Sequence, residues 1–179
     1  MILDTATVDS DVALEADVCV VGSGAGGAAA ARELAEAGRS VVVVEDGPYL
    51  RSADFVQREE VMYPRLYREG GTAATADYTV LVSQGRVVGG STVPGFCLCV
   101  RPPRAVLACW ERTFDLPGLG YEAIHPHLRK VEKQIGVRRL APEQVNANGA
   151  KLLVGSERLG YRGFFPFHNR NGCLGSGYC

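Results

Sequence analysis

Asp17-Val18-Cys19-Val20-Val21-Gly22-Ser23-Gly24-Ala25-Gly26-Gly27 is the stretch on which the fold of this chain turns. Residues 17–21 form a short β-branched run that stops at glycine, which suits a buried parallel strand. Residues 22–27 read as a glycine turn. Residues 28–37 then take on helical periodicity, with Ala31 and Leu34 toward a core and Arg32, Glu33 and Glu36 toward water. Gly38 is placed to end that helix. Residues 40–45, Ser-Val-Val-Val-Val-Glu, read as a second buried strand. Strand, helix and strand make one βαβ unit, and therefore an α/β fold with a mostly parallel sheet.

The glycines fall at the first, third and sixth places of a G-x-G-x-x-G pattern, and each has a task. Gly22 permits the sharp turn out of the strand. Gly24 lets the backbone approach a pyrophosphate, and Gly27 lets helix and strand pack closely. Free N–H groups and the helix dipole at the helix start suit the pyrophosphate charge. Glu45 follows Gly22 by 23 residues, where a carboxylate can accept hydrogen bonds from the two hydroxyls of an adenosine ribose. The same charge would repel the 2′-phosphate of NADP. The pattern alone does not separate NAD from FAD, because both present the same ADP half.

Beyond this unit the signals thin out. Residues 1–16 look like a lead-in, and residues 46–84 look irregular apart from a candidate strand at 78–83. A second glycine cluster spans 85–95 and includes Gly85-Arg86-Val87-Val88-Gly89-Gly90-Ser91-Thr92. Adjacent glycines ahead of two hydroxyl residues can lie flat against a large planar ligand and offer it N–H and O–H groups. Residues 121–135 read as an amphipathic helix with Ile124, Leu128, Val131 and Ile135 on one face, and 148–159 as another. The closing segment, 164–179, is aromatic and then rich in glycine and cysteine.

Composition narrows the classes. The 179 residues are 46% apolar and 22% charged, an ordinary globular balance with room for a core. Nineteen basic residues against 20 acidic give a net charge of −1, which points away from nucleic acid and anionic membranes. The weakly polar run at 18–31 is shorter than the roughly 20 apolar residues a membrane span needs, so no transmembrane segment is expected. Met1-Ile2-Leu3-Asp4 lacks the basic and apolar stretches of a secretory signal, so a cytoplasmic location is expected. The six cysteines form no C-x-x-C pair, so no metal site is expected. Cys19, in its apolar strand, is expected in the core.

Taken together, the two glycine segments resemble the glucose–methanol–choline (GMC) oxidoreductases, which bind FAD and oxidise alcohols. The match runs through residues 17–27, Val44-Glu45-Asp46-Gly47-Pro48 and 85–92. It continues in Tyr121-Glu122-Ala123-Ile124-His125-Pro126-His127-Leu128-Arg129-Lys130-Val131-Glu132, similar to the helix that follows the second motif in that family. The ending Asn171-Gly172-Cys173-Leu174-Gly175-Ser176-Gly177-Tyr178-Cys179 resembles a bacterial subgroup close to long-chain alcohol oxidases.

The resemblance implies a Rossmann-like FAD-binding domain over residues 1–179, incomplete at its C-terminus, with a substrate domain absent or only begun. It implies that Gly22, Gly24 and Gly27 touch the FAD pyrophosphate and Glu45 the ribose. Arg86, Gly89, Gly90, Ser91 and Thr92 would line the flavin side, and Ser23, Ala25, Gly26 and Asp46 complete the cofactor-binding set. The reaction implied is hydride transfer from an alcohol carbon to flavin, the alcohol being the partner of the full-length protein. Pro94 and Gly95 stand where relatives carry an aliphatic residue and then Asn or His. With no histidine there, FAD is expected to be bound non-covalently. The family's catalytic pair, a histidine with a second histidine or asparagine, has no matching segment here, so no catalytic residue is assigned. His125 and His127 read as solvated or capping residues and His168 as structural. The chain therefore reads as an N-terminal fragment of an FAD-dependent alcohol oxidoreductase. A non-catalytic nucleotide-binding module and an NAD-dependent dehydrogenase are the alternatives.

Overall fold

The computed structural model describes residues 1–4 and 7–176. Thr5 and Ala6 of the lead-in, and residues 177–179 with Cys179, lie outside the described residues. The chain forms two compact units, Met1–Gly95 and a second beginning at Phe96.

The first unit opens with the expected βαβ. Strand β1 (Val18–Val21) pairs in parallel with β2 (Val41–Val44), with Val18 opposite Val41 and Val21 opposite Val44. Helix α1 (Ala25–Glu36) connects them. The strands are fastened at their start by a reciprocal clasp. The Ser40 N–H and hydroxyl both donate to Asp17 Oδ2 at 2.8 Å, and the Asp17 N–H donates back to Ser40 Oγ at 2.9 Å. These Ser40 donors hold the Asp17 carboxyl below its ordinary pKa. Helix α1 ends in a Schellman turn, with Gly38 N–H on the Ala35 carbonyl and Arg39 N–H on that of Leu34.

Two sequence expectations need correction here. Helix α1 starts at Ala25 rather than at residue 28, so Ala25, Gly26 and Gly27 are its first turn and not part of the preceding loop. The strands are also not buried: burial alternates along β1, Cys19 is exposed, and Val21 is 86% exposed. Within this unit α1 packs on both strands, which covers only one face of the pair. The side chains that alternate to the other face, Cys19 among them, meet solvent.

The core of the first unit lies elsewhere. Helix α2 (Glu59–Leu66), unforeseen because Pro64 interrupts its pattern, contributes Met62 and Leu66. They pack with Val87, which is 1% exposed, and Leu50, Phe55, Val61 and Tyr67 gather around them. Val87 belongs to the second glycine cluster, so this core anchors that loop. The candidate strand at 78–83 is instead one arm of an irregular hairpin. Thr75 N–H meets the Val80 carbonyl and Val82 N–H that of Ala73, with only an isolated bridge at Ala74–Leu81.

The second unit contains α3 (Arg104–Thr113), α4 (Tyr121–Gln134) and α5 (Ala147–Arg158). It also contains a short antiparallel pair, β3 (Arg138–Arg139) with β4 (Phe167–His168). Helix α4 matches the expected 121–135 and α5 the expected 148–159 to within a residue, whereas α3 gave no signal in the sequence reading. Leu107 of α3 is 1% exposed. Asn146 caps α5 by accepting from the Gly149 N–H at 2.8 Å. Arg101 grips Glu132 with two guanidinium hydrogen bonds. Among the described residues, no helix is long and apolar enough to cross a membrane.

Candidate functional site

The first glycine loop is shaped by contacts with β1, β2 and α1. Gly22 has φ +91°, a left-handed conformation that glycine adopts without strain, and its N–H donates to the Val44 carbonyl at 2.7 Å. Gly27 presses against Gly22: a Cβ at Gly27 would land on the Gly22 carbonyl oxygen. Gly24 is the N-cap of α1, and no side chain caps its first amides. Those N–H groups, which have no carbonyl within the helix to meet, are open to an external acceptor.

Glu45, directly after β2, points its carboxylate back at this loop. Oε2 accepts from Ser23 N–H at 2.8 Å and from the Ser23 hydroxyl at 2.6 Å, and Oε1 accepts from Gly47 N–H at 2.9 Å. Burial pushes the Glu45 carboxyl upward, but the Ser23 hydroxyl and the Ser23 and Gly47 amides outweigh it. The pKa therefore lies below the usual carboxylate value, and the group is ionised near neutrality. A carboxylate has about four acceptor positions, and three are already used by the protein.

The second glycine loop meets the first. Gly89 N–H donates to Ser23 Oγ at 2.8 Å. Gly90, at φ +58°, lies so near the first loop that a Cβ on it would come within 2.8 Å of Gly24 Cα. Gly90–Thr92 form a single 3₁₀ turn, braced by the Thr92 hydroxyl on the Gly89 carbonyl at 2.6 Å. Ser91 Oγ accepts from Gly85 N–H at 2.9 Å, and Val88 N–H reaches the Pro48 carbonyl at 3.0 Å. Arg86 turns its Nε to Asp46 Oδ2 at 3.1 Å, and Arg68 meets the same oxygen at 2.8 Å. The Arg86 and Arg68 hydrogen bonds hold the Asp46 carboxyl below its ordinary value.

These segments enclose a cleft of about 450 Å³ lined by Gly22, Gly24, Ala25, Glu45, Asp46, Arg68, Gln84, Gly85, Gly90, Ser91 and Thr92. Eight of the thirteen cofactor residues expected from sequence line it. Ser23, Gly26, Gly27, Arg86 and Gly89 do not. Ser23, Gly27 and Gly89 stand behind the lining and support it, and Arg86 supports it through Asp46. Arg68, Gln84 and Gly85 line the cleft without having been foreseen. Gly85 lay in the motif and could have been named from it. Gln84 directly precedes that motif, whereas Arg68 carries no local signal and arrives by pairing, its N–H donating to the Gln84 carbonyl at 2.9 Å.

The cleft suits a dinucleotide. A Cβ at Gly22 would meet no atom within 4 Å, and one at Gly24 none nearer than 3.9 Å. The glycine positions thus keep open space that side chains would fill. Uncapped helix amides and an ionised carboxylate border that space.

The histidines belong to the second unit. His125 stacks on Tyr121 with ring centroids 5.1 Å apart, and His127 is exposed. His168 is 2% exposed, and its Nδ1 accepts from Arg170 N–H at 3.1 Å. Burial, then the charges of Arg170 and Arg138, lowers its pKa and favours the neutral ring. A cleft of similar size, about 440 Å³, lies in this unit against Leu140, Leu153, Phe164 and Phe165. It contains no part of either glycine loop, and Arg139 and Glu157 are the charged residues of its lining.

Residues 17–56 match the FAD binding domain family, and residues 63–179 match the GMC oxidoreductase family. An uncharacterised GMC-type oxidoreductase of Mycobacterium tuberculosis is 37% identical over 175 residues, which is 97% of this chain and 28% of that protein. A long-chain-alcohol oxidase of Arabidopsis thaliana, FAO3, is 32% identical over 150 residues, 84% of this chain and 20% of the oxidase. The chain therefore spans between a fifth and three-tenths of these relatives. FAD is the cofactor that goes with both family matches. A βαβ unit ending in Glu45, a second glycine loop folded onto the first and a match over residues 63–179 agree: the chain belongs to the GMC oxidoreductase family.

Proposed function

We propose that this chain is the cofactor-holding N-terminal part of an FAD-dependent oxidoreductase acting on the CH–OH group of alcohols. The observation that carries the reading is the convergence of the α1 N-terminus, the Glu45 carboxylate and the second glycine loop on one cleft. In this reading the α1 amides and Gly24 take the pyrophosphate, Glu45 takes the adenosine ribose, and Gly90, Ser91 and Thr92 face the flavin portion. Asp46 and Arg68 border the cleft beside them, Ser23, Gly27, Arg86 and Gly89 shape it, and Gly26 stands in the first turn of α1. FAD, when bound, supplies the hydride acceptor. Gly95 takes the place at which some relatives of the family carry a histidine, which supports non-covalent attachment.

Residues 1–179 form the N-terminal FAD-binding domain in this reading, and the substrate domain and catalytic base belong to other parts of the longer protein. Alcohol oxidation needs a base at the hydroxyl proton, because hydride leaves an alkoxide far more readily than a neutral alcohol. Inward burial of His168 and the placement of His125 against Tyr121 on α4 suit structural roles. The alcohol class of substrate is supported by the long-chain-alcohol oxidases among the plant relatives. The free thiols of the described cysteines suit a reducing, cytoplasmic location.

Purification tests the reading directly. The protein is expected to bind FAD reversibly, with flavin absorption that is released on denaturation, and Gly24→Val is expected to purify colourless. Normal flavin content in Gly24→Val overturns the placement of the cofactor. Residues 1–179 with FAD, a panel of primary and secondary alcohols and an artificial acceptor are expected to show no turnover above free FAD. Turnover would place a base within residues 1–179.

A further inference from the structure

Ser23 sits where three separate stretches of chain meet. Its hydroxyl donates to Glu45 Oε2 at 2.6 Å and accepts from Gly89 N–H at 2.8 Å. Its own N–H donates to the same Glu45 oxygen at 2.8 Å. The side chain thus spends its single proton on the carboxylate and a lone pair on a residue 66 positions away. An alanine here would leave the Gly89 N–H without this acceptor and would leave Glu45 Oε2 held by the backbone N–H of residue 23 alone. Ser23 does not line the cleft.

We infer that Ser23 is a positioning residue, not a cofactor ligand: it fixes the Glu45 carboxylate for the ribose and ties the second glycine loop to the first through one hydroxyl. The inference rests on the FAD reading above. Ser23 and Gly47 occupy about three of the four acceptor positions of the carboxylate and leave one for the ligand, so the orientation of that one is set by protein hydrogen bonds rather than by the ligand. Such pre-organisation raises affinity because the carboxylate loses little freedom on binding. Among the described residues, the charged groups beside Glu45 are Asp46 and, paired to it, Arg68 and Arg86. Since the Ser23 hydroxyl is the foremost of the donors that lower the Glu45 pKa, ahead of the Ser23 and Gly47 amides, the role has a pH signature as well as an affinity signature.

FAD titrations of the full chain, as wild type, Ser23→Ala, Ser23→Thr and Glu45→Gln from pH 4 to 8, decide the matter. Ser23→Ala is expected to raise the FAD dissociation constant roughly 10- to 150-fold, the loss of one hydrogen bond to a charged group. Ser23→Thr, which keeps the hydroxyl, is expected to restore most of it. In wild type, binding weakens as pH falls and Glu45 protonates; in Ser23→Ala that weakening is expected to begin at higher pH. In the Glu45→Gln background, Ser23→Ala is expected to cost clearly less than in wild type, what remains being the lost tie to Gly89. Wild-type affinity in Ser23→Ala, an acid limb that does not move, or equal losses in both backgrounds overturns the inference while leaving FAD binding intact. A wild-type chain that takes up no FAD overturns the FAD reading and this inference with it. Should Ser23→Ala not fold, NMR titration of the Glu45 carboxyl in wild type still decides: a value below the ordinary carboxylate range is expected, and an ordinary value overturns the inference.

Discussion

The two glycine loops use the same residue for different ends. In the first, Gly24 leaves space: a Cβ there would meet only Gly90 Cα, at 3.9 Å, and one at Gly22 would meet nothing within 4 Å. In the second, the glycines are filled in by protein. A Cβ at Gly85 would come within 2.7 Å of Ser91 Cα, and one at Gly90 within 2.8 Å of Gly24 Cα. Gly27 is the exception in the first loop, since it is closed against Gly22. The contrast teaches that a glycine pattern mixes two requirements. Some positions are glycine because the fold itself leaves no room. Others are glycine because a ligand needs the room the fold provides.

Mutations at these positions can break or sharpen the contrast. The largest effect is expected at Gly27→Ala, where the methyl would coincide with the Gly22 carbonyl. Such overpacking costs about 3 kcal/mol or more, enough to leave little folded protein on a denaturant curve. Next stands Gly90→Ala, which adds the strain of a left-handed alanine, roughly 1–2 kcal/mol, to a clash with Gly24. Gly24→Ala is its counterpart. It is expected to keep wild-type stability in the same denaturation experiment yet bind FAD at least tenfold more weakly. A Gly24→Ala protein that unfolds as Gly90→Ala does would erase the distinction.

Glu45→Ala comes third. It removes the ribose partner and also leaves the Ser23 hydroxyl and two amides without their acceptor. Isothermal titration with FAD is expected to register a loss of roughly 1.5–3 kcal/mol. The pH dependence carries a definite sign. The Glu45 carboxyl is lowered in the folded chain, so its contribution to stability is present above the ordinary carboxylate pKa. It is lost as pH falls through the lower, folded value. Glu45→Gln is expected to flatten that part of the acid limb in thermal melts taken between pH 3 and 7. The smallest effect is expected at Arg86→Ala. Its pair with Asp46 is about half exposed on both sides, and Arg68 remains on the same oxygen. Stability is expected to change by no more than about 0.5–1 kcal/mol.

Much of the first unit was legible because its signals are local. A β-branched run, a glycine pattern, a helical repeat and a terminal acid lie within 29 residues, Asp17 to Glu45, and each is a short-range preference. Helices α4 and α5 were legible for the same reason, by their 3.6-residue periodicity. Helix α2 was not, because Pro64 breaks the pattern and only packing of Met62 and Leu66 on Val87 holds it in place. Cys19 was misplaced because an apolar strand implies burial only if something covers it, and within the first unit α1 packs on a single face.

The sequence by itself determined the βαβ unit, the acid that follows it, the second glycine loop and the family to which both belong. It did so because turn geometry, strand and helix preference and the reach of a βαβ crossover depend on neighbouring residues. Only the tertiary structure decided how those pieces are joined: Ser23 between Glu45 and Gly89, Gly90 against Gly24, Arg68 and Arg86 sharing Asp46. These contacts link positions 22 to 66 apart. Hydrogen bonds and close backbone approaches at such separations depend on where whole elements come to rest, and no local preference encodes that.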